Sequence, residues 1–290
     1  MTYDLRSLSP GFGAEISGID LSENFDIGLI NELKVIWRNA GGLLIITNQD
    51  LSPAQHISFS RYFGALFGDK GNPPLQNTVS QYIHPDYPQI YRVSNQTDDE
   101  GLPIGRKGAG TYWHSDVSFR DCPAQASILS CKQSPNVGGD TLFADQVRAY
   151  EALSKGMKEL LSNLFAWHDF EIAARTQYAK PIVIENDMDG GNRALHPIIR
   201  THAETKRKSL YVNPGFTSHI NHFFTEESRI ILKFLYDHCI KPEFVYRHIW
   251  KDKDLVIWDN RTMIHYAVMD YSDDQPRYME RCTVIGEKPF

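Results

Sequence analysis

Two segments of the sequence carry histidine and aspartate at a spacing that suits a metal ion. His114 and Asp116 are two residues apart, and side chains at that spacing on an extended chain point to the same side. His265 comes much later, after the short apolar run Leu255–Trp258 and a polar turn. Two imidazoles and one carboxylate leave metal positions open, as in non-haem Fe(II) centres, whereas structural zinc sites are closed by four ligands. A His114 that is merely hydrogen-bonded to Asp116 is the alternative.

A third segment near the end of the sequence carries two arginines. Arg277 and Arg281 are four residues apart at a predicted strand, so their side chains share one face. A guanidinium group binds a carboxylate through two parallel hydrogen bonds. The pair therefore predicts a pocket that holds two anionic groups, with two solvated surface charges as the alternative.

The elements that must position these residues are mainly strands. Apolar and β-branched runs predict strands at Leu43–Thr47, Ile90–Ser94, Ala126–Cys131, Lys208–Val212, Leu255–Trp258 and Tyr278–Ile285. Helical spacing and capping residues predict four helices, which begin near Asp26, Ser52, Ser154 and Thr225. Strands and helices do not alternate regularly, which favours a mostly β sandwich or jelly roll with flanking helices. Without repeats or linkers, the 290 residues are expected to form one domain, 1–290.

Composition excludes several classes of function. The formal net charge is −6, with 36 acidic residues against 30 lysines and arginines, and this argues against a nucleic-acid partner. No apolar run approaches the roughly 20 residues that a membrane helix needs. The four cysteines form no C-x-x-C pair, and the first residues do not resemble a signal peptide. We therefore expect a cytoplasmic protein with reduced thiols and no membrane association.

Most of the eleven histidines have no spacing typical of metal ligands. His56 falls in the second predicted helix, and we expect it at the protein surface. His196 precedes Pro197 in a run that predicts a strand beside the pocket rather than a metal ligand.

Several ordered motifs resemble those of one enzyme family. They run nearly from end to end of the chain and are Gly13-Ala14-Glu15-Ile16, Gly18-Ile19-Asp20-Leu21, Trp113-His114-Ser115-Asp116, Gly138-Gly139-Asp140-Thr141, Leu195-His196-Pro197, Tyr211-Val212-Asn213, Trp258-Asp259-Asn260-Arg261 with His265, Arg277 with Arg281, and Gly286-Glu287-Lys288-Pro289-Phe290. Together they resemble the taurine dioxygenase family of Fe(II)/2-oxoglutarate-dependent oxygenases, which includes the 2,4-dichlorophenoxyacetate dioxygenases.

The resemblance implies a double-stranded β-helix, a jelly-roll core of the cupin-like kind. It implies that Fe(II) is bound by His114, Asp116 and His265. It also implies that Arg277 pairs with the distal carboxylate of the cosubstrate 2-oxoglutarate, helped by the hydroxyl group of Thr141. In such enzymes O2 is consumed, 2-oxoglutarate is converted to succinate and CO2, and the substrate is hydroxylated.

The same resemblance suggests how the substrate is held. Arg281 looks like the family arginine that reaches the substrate anion. The charges of Fe(II), Asp116, 2-oxoglutarate and Arg277 balance one another. Arg281 therefore leaves the site with an uncompensated positive charge. We therefore expect a small anionic substrate such as a sulfonate, a sulfate ester or a carboxylate. His84 and Tyr87 match a His and a Tyr that contact substrate in the taurine enzymes, although a structural turn is the alternative.

One position departs from the family pattern. The taurine enzymes have an asparagine four residues before the first metal histidine, where this chain has Gly110. The change removes a side-chain hydrogen bond to substrate and leaves room for a bulkier molecule.

The leading hypothesis is therefore an Fe(II)- and 2-oxoglutarate-dependent dioxygenase that hydroxylates a small anionic molecule. The alternatives are a tailoring hydroxylase of an amino acid or another small metabolite and, from a different class, a non-enzymatic cupin-like metal-binding protein. Resemblance to the family further suggests a homodimer or a homotetramer.

Overall fold

Strands predominate in the structure, as the sequence predicts. The computed structural model describes residues 3–22, 26–72, 75, 82–176 and 191–290. Within these ranges the strands are β1 (Asp4–Ser9), β2 (Phe12–Ser17), β3 (Leu43–Ile46), β4 (Ile90–Ser94), β5 (Ala124–Gln133), β6 (Thr141–Asp145), β7 (Phe165–Asp169), β8 (Arg193–Pro197), β9 (Ile199–Thr201), β10 (Lys208–Leu210), β11 (Thr217–Ile220), β12 (Val245–His248), β13 (Leu255–Asp259), β14 (Met263–Ala267) and β15 (Tyr278–Ile285). The α-helices are α1 (Ile27–Asn39), α2 (Pro53–Ser60), α3 (Gln146–Glu151), α4 (Lys155–Leu161), α5 (Phe170–Thr176) and α6 (Thr225–Cys239).

The largest sheet has seven strands in the order β1-β2-β3-β13-β5-β15-β4. Its neighbouring strands are antiparallel except β2 and β3, which are parallel and connected through α1. A three-stranded sheet, β12-β6-β14, packs against this large sheet. Two smaller sheets, β11-β7-β8 and β10-β9, complete the arrangement. This is the predicted jelly roll with flanking helices.

The inner core fills the space between the two facing sheets. Phe143 of β6 and Met263 of β14 are buried with Leu129, Val256 and Trp258 of the large sheet. Removing this apolar surface from water is the main force that holds the sheets together. Strand β14, which carries His265, is thereby fixed against the face of the large sheet.

Helices α1 and α2 cover the opposite face of the large sheet. Leu33 and Trp37 of α1 and Phe59 of α2 are buried against it. The ends of both helices follow from local sequence. The side chain of Asp26 accepts a hydrogen bond from an amide of the first turn of α1, and Ser52 forms a reciprocal capping box with Gln55 at the start of α2.

The prediction for His56 was wrong, because this residue of α2 is fully buried. Helix α2 is packed on more than one side, and His56 Nε2 lies 3.1 Å from the carbonyl oxygen of Ile128 in β5. Burial lowers the pKa of His56 to about 3, helped by the charge of Lys132, so the ring is neutral.

No helix among the described residues combines the length and the apolar character that crossing a membrane requires.

A buried carboxyl group joins β6 to α3. Asp145 is the N-cap of α3, and its Oδ1 accepts hydrogen bonds of 2.8 and 3.1 Å from the amides of Val147 and Arg148. Its Oδ2 is buried and has no hydrogen-bond partner in the described ranges of the chain. Burial raises the pKa of Asp145 to about 6, although the two amides act in the opposite direction.

This raised pKa predicts how stability depends on pH. The folded-state pKa exceeds the unfolded value of about 3.9, so the contribution of Asp145 is complete below pH 4 and lost as pH rises through 6. Asp145→Asn keeps an N-cap acceptor but cannot ionise. From pH 4 to pH 7 the free energy of unfolding of the wild type should fall by about 2–3 kcal/mol more than that of the variant, because only the wild type loses this contribution.

Urea denaturation at a series of pH values measures this difference. Asp26→Asn is the matched control, because it replaces an N-cap carboxylate that is exposed to water in α1. Parallel stability curves for the wild type and Asp145→Asn would contradict the expectation.

Candidate active site

The three predicted metal ligands lie together and are buried. His114 and His265 face each other in an antiparallel bridge, where the amide of each donates to the carbonyl of the other at 3.0 and 2.8 Å. Asp116 Oδ1 lies 3.6 Å from His114 Nε2, and its Oδ2 lies 3.9 Å from His265 Nε2. One donor atom of each residue falls within 4.8 Å of the others, so a single cation could contact all three.

Both imidazoles are suited to act as neutral ligands. His114 Nδ1 lies 2.8 Å from the carbonyl oxygen of Tyr112. A carbonyl can only accept, so Nδ1 carries the hydrogen and Nε2 presents a lone pair to the metal position. Burial lowers the pKa of His265 well below its ordinary value, and the neighbouring His114 lowers it further.

A hydrogen-bond network centred on Asn260 orients Asp116. The Oδ1 atom of Asn260 accepts from the amide of Asp116 and from the indole of Trp258, both at 3.1 Å. Its Nδ2 atom donates to Ser127 Oγ at 3.0 Å, and Ser127 in turn donates to Asp116 Oδ2 at 2.6 Å. Asn260 lies in the Trp258-Asp259-Asn260-Arg261 motif, but its sequence context alone does not predict this role.

Arg281 forms an ion pair with the same carboxylate. Its Nη1 donates to Asp116 Oδ1 at 2.7 Å. Burial by itself would raise the pKa of Asp116, but the positive charge of Arg281 outweighs it and holds the pKa well below its usual range. Asp116 is therefore ionised, and the side chain that was predicted to reach a substrate anion contacts the carboxylate of Asp116.

Arg277, four residues before Arg281, places a second positive charge, which is buried, at the same cavity. Its Nε contacts the carbonyl of Gly139 at 3.4 Å, and within the described part of the chain no carboxylate lies within 4.0 Å of the guanidinium. Thr141 lines the same cavity and accepts a 2.9 Å hydrogen bond from the indole of Trp250. This hydrogen bond uses one lone pair of the Thr141 oxygen, and the O–H group remains able to donate toward an acceptor in the cavity.

The cavity beside the metal ligands has a largely aromatic wall. Phe119 lies 4.9 Å from Phe170 and 5.1 Å from Phe216, measured between ring centroids. Tyr112 meets Phe216 edge-on at 6.0 Å. All four line the cavity. The part of the cavity near Arg277 can therefore accept a charged group, and the aromatic wall can accept the apolar part of a ligand.

The structure does not bring His84 and Tyr87 into this cavity. Neither is among the described residues that line it. They lie in one turn, closed by a hydrogen bond from the Tyr87 amide to the His84 carbonyl, with their rings edge-on at 5.0 Å. Tyr87 also packs against the core on the outer face of the large sheet. The described residues thus show the two side chains in a turn, while Tyr91 of β4 lines the cavity, and the substrate contact of His84 and Tyr87 stays a prediction.

Gly110 lies directly against a metal ligand. Its φ angle is +76°, and a Cβ atom there would come within 2.8 Å of His114 Cε1. The carbonyl of Gly110 accepts a 2.8 Å hydrogen bond from the amide of Ala267, just beyond His265. Glycine at this position therefore shapes the metal site, besides lining the cavity.

The donor set fits a non-haem iron centre. Two neutral imidazoles and one ionised carboxylate on one side of a cation leave the remaining positions open, as oxygen-activating Fe(II) sites require. A jelly roll that holds this set in one cavity with a buried arginine, which pairs with no carboxylate in the described part of the chain, is typical of non-haem iron oxygenases.

Comparison with known proteins places the chain within that class. The model of the taurine catabolism dioxygenase TauD, TfdA family matches residues 4–283. The chain belongs to this family.

Relatives span nearly the whole chain. The alpha-ketoglutarate-dependent 2,4-dichlorophenoxyacetate dioxygenase of Cupriavidus pinatubonensis is 31% identical, over 99% of each chain. The alkylsulfatase of Acinetobacter baylyi is also 31% identical, over 98% of this chain and 85% of its own length. The alpha-ketoglutarate-dependent sulfonate dioxygenase of Saccharomyces cerevisiae is 30% identical, over 98% of this chain and 67% of its own.

Solved structures share the fold. AAD-2 in complex with Mn(II) and N-oxalylglycine superposes with a TM-score of 0.81, 31% identity and coverage of 100% of this chain and 99% of AAD-2. A taurine dioxygenase from Burkholderia xenovorans gives a TM-score of 0.80, 27% identity and coverage of 99% and 90%.

The network around Asp116 predicts a role for Asn260 in metal binding. Asn260→Ala removes the acceptor of the Asp116 amide and the Trp258 indole, and also the donor to Ser127. The Asp116 carboxylate then loses the contacts that fix its orientation. Loss of such supporting partners typically weakens metal binding by about 10–100-fold. Titration with Co(II), followed by visible absorption, measures the change.

Asn213→Ala is the matched control, because Asn213 is equally buried but bonds to Ser118 and Phe216 instead. Both variants should lower the thermal midpoint, and only Asn260→Ala should weaken Co(II) binding. Equal metal affinities in the two variants would contradict the role of Asn260.

Gly110 gives a second prediction at the metal site. In Gly110→Ala the new methyl group would press on the His114 ring, and the positive φ angle adds about 1 kcal/mol of backbone strain. We expect at least tenfold weaker Co(II) binding. Gly108→Ala is the control, because it shares the positive φ but its Cβ would meet the flexible side chain of Met269. The prediction is refuted if both alanines bind Co(II) equally.

Proposed function

We propose that this protein is an Fe(II)- and 2-oxoglutarate-dependent dioxygenase that hydroxylates an anionic molecule with an apolar body. The observation that carries the proposal is the buried Arg277 guanidinium, which has no carboxylate partner among the residues described and lines the same cavity as His114, Asp116 and His265. A buried charge needs a compensating group, and a cosubstrate carboxylate supplies one.

Two groups of residues have separate binding roles. His114, Asp116 and His265 hold the iron, while Arg277 and the Thr141 hydroxyl hold the distal carboxylate of 2-oxoglutarate. When bound, the iron supplies the oxidation of a C–H bond by O2, coupled to conversion of 2-oxoglutarate to succinate and CO2. The protein orients the two organic molecules and keeps the buried site from bulk water.

The wall of the cavity supports a substrate with an aromatic or alkyl body. Phe119, Phe170 and Phe216 offer only apolar surface and cannot compensate a polar chain such as that of taurine. Relatives named as acting on 2,4-dichlorophenoxyacetate, sulfonates and alkyl sulfates support an anionic head group. A sulfonate, a sulfate ester and a carboxylate each carry a negative charge and at least two acceptor oxygens, which an arginine can bind through two hydrogen bonds.

We further propose that the chain acts as one domain in the cytoplasm, as a homodimer or homotetramer, without nucleic-acid or membrane partners. The net charge of −6 supports the absence of a nucleic-acid partner. Size-exclusion chromatography with light scattering measures the subunit count.

A substrate panel tests the proposed reaction. Phenoxyacetate, hexyl sulfate, butane-1-sulfonate, taurine and L-phenylalanine are each supplied with Fe(II), 2-oxoglutarate and O2. We expect succinate formation coupled to O2 consumption with at least one of the three apolar anions, and a lower rate with taurine. Turnover of L-phenylalanine alone would support a tailoring hydroxylase instead, and no succinate with any compound would contradict the proposal.

The cosubstrate assignment has its own test. Under anaerobic conditions, Fe(II) with 2-oxoglutarate should give the wild-type protein a weak visible charge-transfer band. Arg277→Gln should raise the 2-oxoglutarate concentration for half-maximal absorbance at least tenfold, because a buried charge pair is lost. Arg229→Gln, on the exposed side of α6, is the control. A folded, iron-loaded protein without the band would contradict the assignment.

A further inference from the structure

Trp250 lies in the segment between β12 and β13 and points into the core. Its side chain is 4% exposed, whereas the neighbouring Ile249 is 68% exposed. The indole belongs to the inner core between the two facing sheets, and its Nε1 donates a 2.9 Å hydrogen bond to Thr141 Oγ1. The proposed function assigns a role to Thr141 and none so far to Trp250.

The sheet register and a closed loop bring the indole to Thr141. Thr141, the first residue of β6, lies opposite His248, the last residue of β12, so the chain leaves the sheet beside Thr141 two residues before Trp250. Asp254 then closes the loop. Its Oδ2 accepts a 3.0 Å hydrogen bond from the Lys251 amide and lies 3.2 Å from His248 Nε2. The protein itself therefore holds the indole in place.

The indole restricts the direction of the Thr141 hydroxyl. A hydroxyl oxygen has one O–H group and two lone pairs, and an indole N–H can only donate. With one lone pair facing Trp250, the O–H group must point away from the indole, in one of the two remaining directions. Within the described ranges of the chain the Thr141 hydroxyl donates to no acceptor. Its hydrogen is therefore available to a ligand in the cavity that Thr141 lines.

The buried guanidinium of Arg277 lies against the same segment. The carbonyl of Gly139, two residues before Thr141, is 3.4 Å from Arg277 Nε, and a Cβ atom on Gly139 would come within 3.3 Å of that nitrogen. Arg277 and Thr141 both line the cavity, whereas Trp250 is not among the described residues that do. Any effect of the Trp250 indole on a carboxylate at Arg277 must therefore pass through Thr141.

We infer that Trp250 is a positioning residue for the cosubstrate. Its indole N–H orients the Thr141 hydroxyl so that the hydroxyl donates to the distal carboxylate of 2-oxoglutarate, and Trp250 itself contacts no cosubstrate atom. Because the orientation exists before the cosubstrate arrives, less conformational freedom is lost on binding. This inference rests on the proposed function and names a further residue of the same site.

Trp250→Phe tests the inference without turnover. The variant keeps an aromatic ring in the core and removes the N–H group. In the anaerobic titration of the Fe(II)-loaded protein, the 2-oxoglutarate concentration for half-maximal absorbance should rise about three- to tenfold, the effect of one hydrogen bond. Trp37→Phe is the matched control, because Trp37 is equally buried but lies in α1, and its Nε1 has no hydrogen-bond partner among the described residues.

A double-mutant cycle separates positioning from a general effect on the core. Thr141→Val removes the hydroxyl and keeps the shape of the side chain. In that background, adding Trp250→Phe should change the half-maximal concentration by less than about twofold, because the group that the indole orients is gone. In the Thr141→Ser background, which keeps a hydroxyl, Trp250→Phe should retain its effect. A merely structural role of Trp250 would weaken 2-oxoglutarate binding equally in every background.

A measurement on the wild type does not depend on the folding of any variant. The protein is labelled with 15N and loaded with Zn(II), which is diamagnetic, in place of Fe(II). Addition of 2-oxoglutarate should shift the indole N–H signal of Trp250, because its acceptor oxygen then donates to a carboxylate. The indole signal of Trp37 should stay in place.

The outcomes distinguish this inference from the proposed function. An unchanged titration in Trp250→Phe, an equal effect of that change in the Thr141→Val background, or an unshifted Trp250 signal would each overturn the inference. If Thr141→Val binds 2-oxoglutarate as the wild type does, the inference also fails, while the Arg277→Gln test of the proposed function can still succeed. Absence of the charge-transfer band in the wild type would contradict the proposed function itself, and the inference with it.

Discussion

The site depends on keeping the buried carboxylate of Asp116 ionised and oriented. A carboxylate taken out of water is unstable unless charges and hydrogen bonds replace its hydration. Here Arg281 supplies the charge, while Ser127 and Asn260 fix the geometry. Their positions explain why a jelly roll is suited to the task, because Ser127 belongs to β5, Arg281 to β15, and Asn260 follows β13. These three strands are neighbours in the large sheet.

The register of that sheet brings the partners to one face. Ser127 lies opposite Trp258 of β13 on one side and opposite Thr283 of β15 on the other. Residues directly opposite each other in antiparallel strands face the same way, as do residues two apart on one strand. Arg281 therefore shares the face of Ser127. A shift of one residue in any of these pairings would turn the supporting groups away from Asp116.

The sequence predicted those parts of the structure that local patterns determine. The strands Ile90–Ser94 and Tyr278–Ile285 have the predicted bounds, because each is a β-rich run of its own. Helices α1 and α2 begin where Asp26 and Ser52 supply caps. The motif around His114 and His265 likewise indicated which side chains meet, although it could not show the backbone bridge between them.

Other features depend on contacts between distant parts of the chain. Asn260 acts on Asp116, which is 144 positions away in the sequence, and no local pattern reveals this contact. Strand β14 reads Met-Ile-His-Tyr-Ala, without a clear alternation of apolar and polar residues, and was missed. A polar residue on a helix usually faces water, which predicts an exposed His56, but α2 is packed on more than one side and buries it.

The residues that line the cavity are held in place in two different ways, some by the large sheet and some by a loop. Arg277 and Arg281 are tied to β15, so a change in their backbone position would also move the partners of Asp116. Arg106 is held by a few backbone contacts around Gly105, outside the paired strands of the large sheet. Loops tolerate sequence change better than the strands they connect. The fold therefore permits the side of the cavity that this loop lines to be altered while His114, Asp116, His265 and Arg277 keep their geometry.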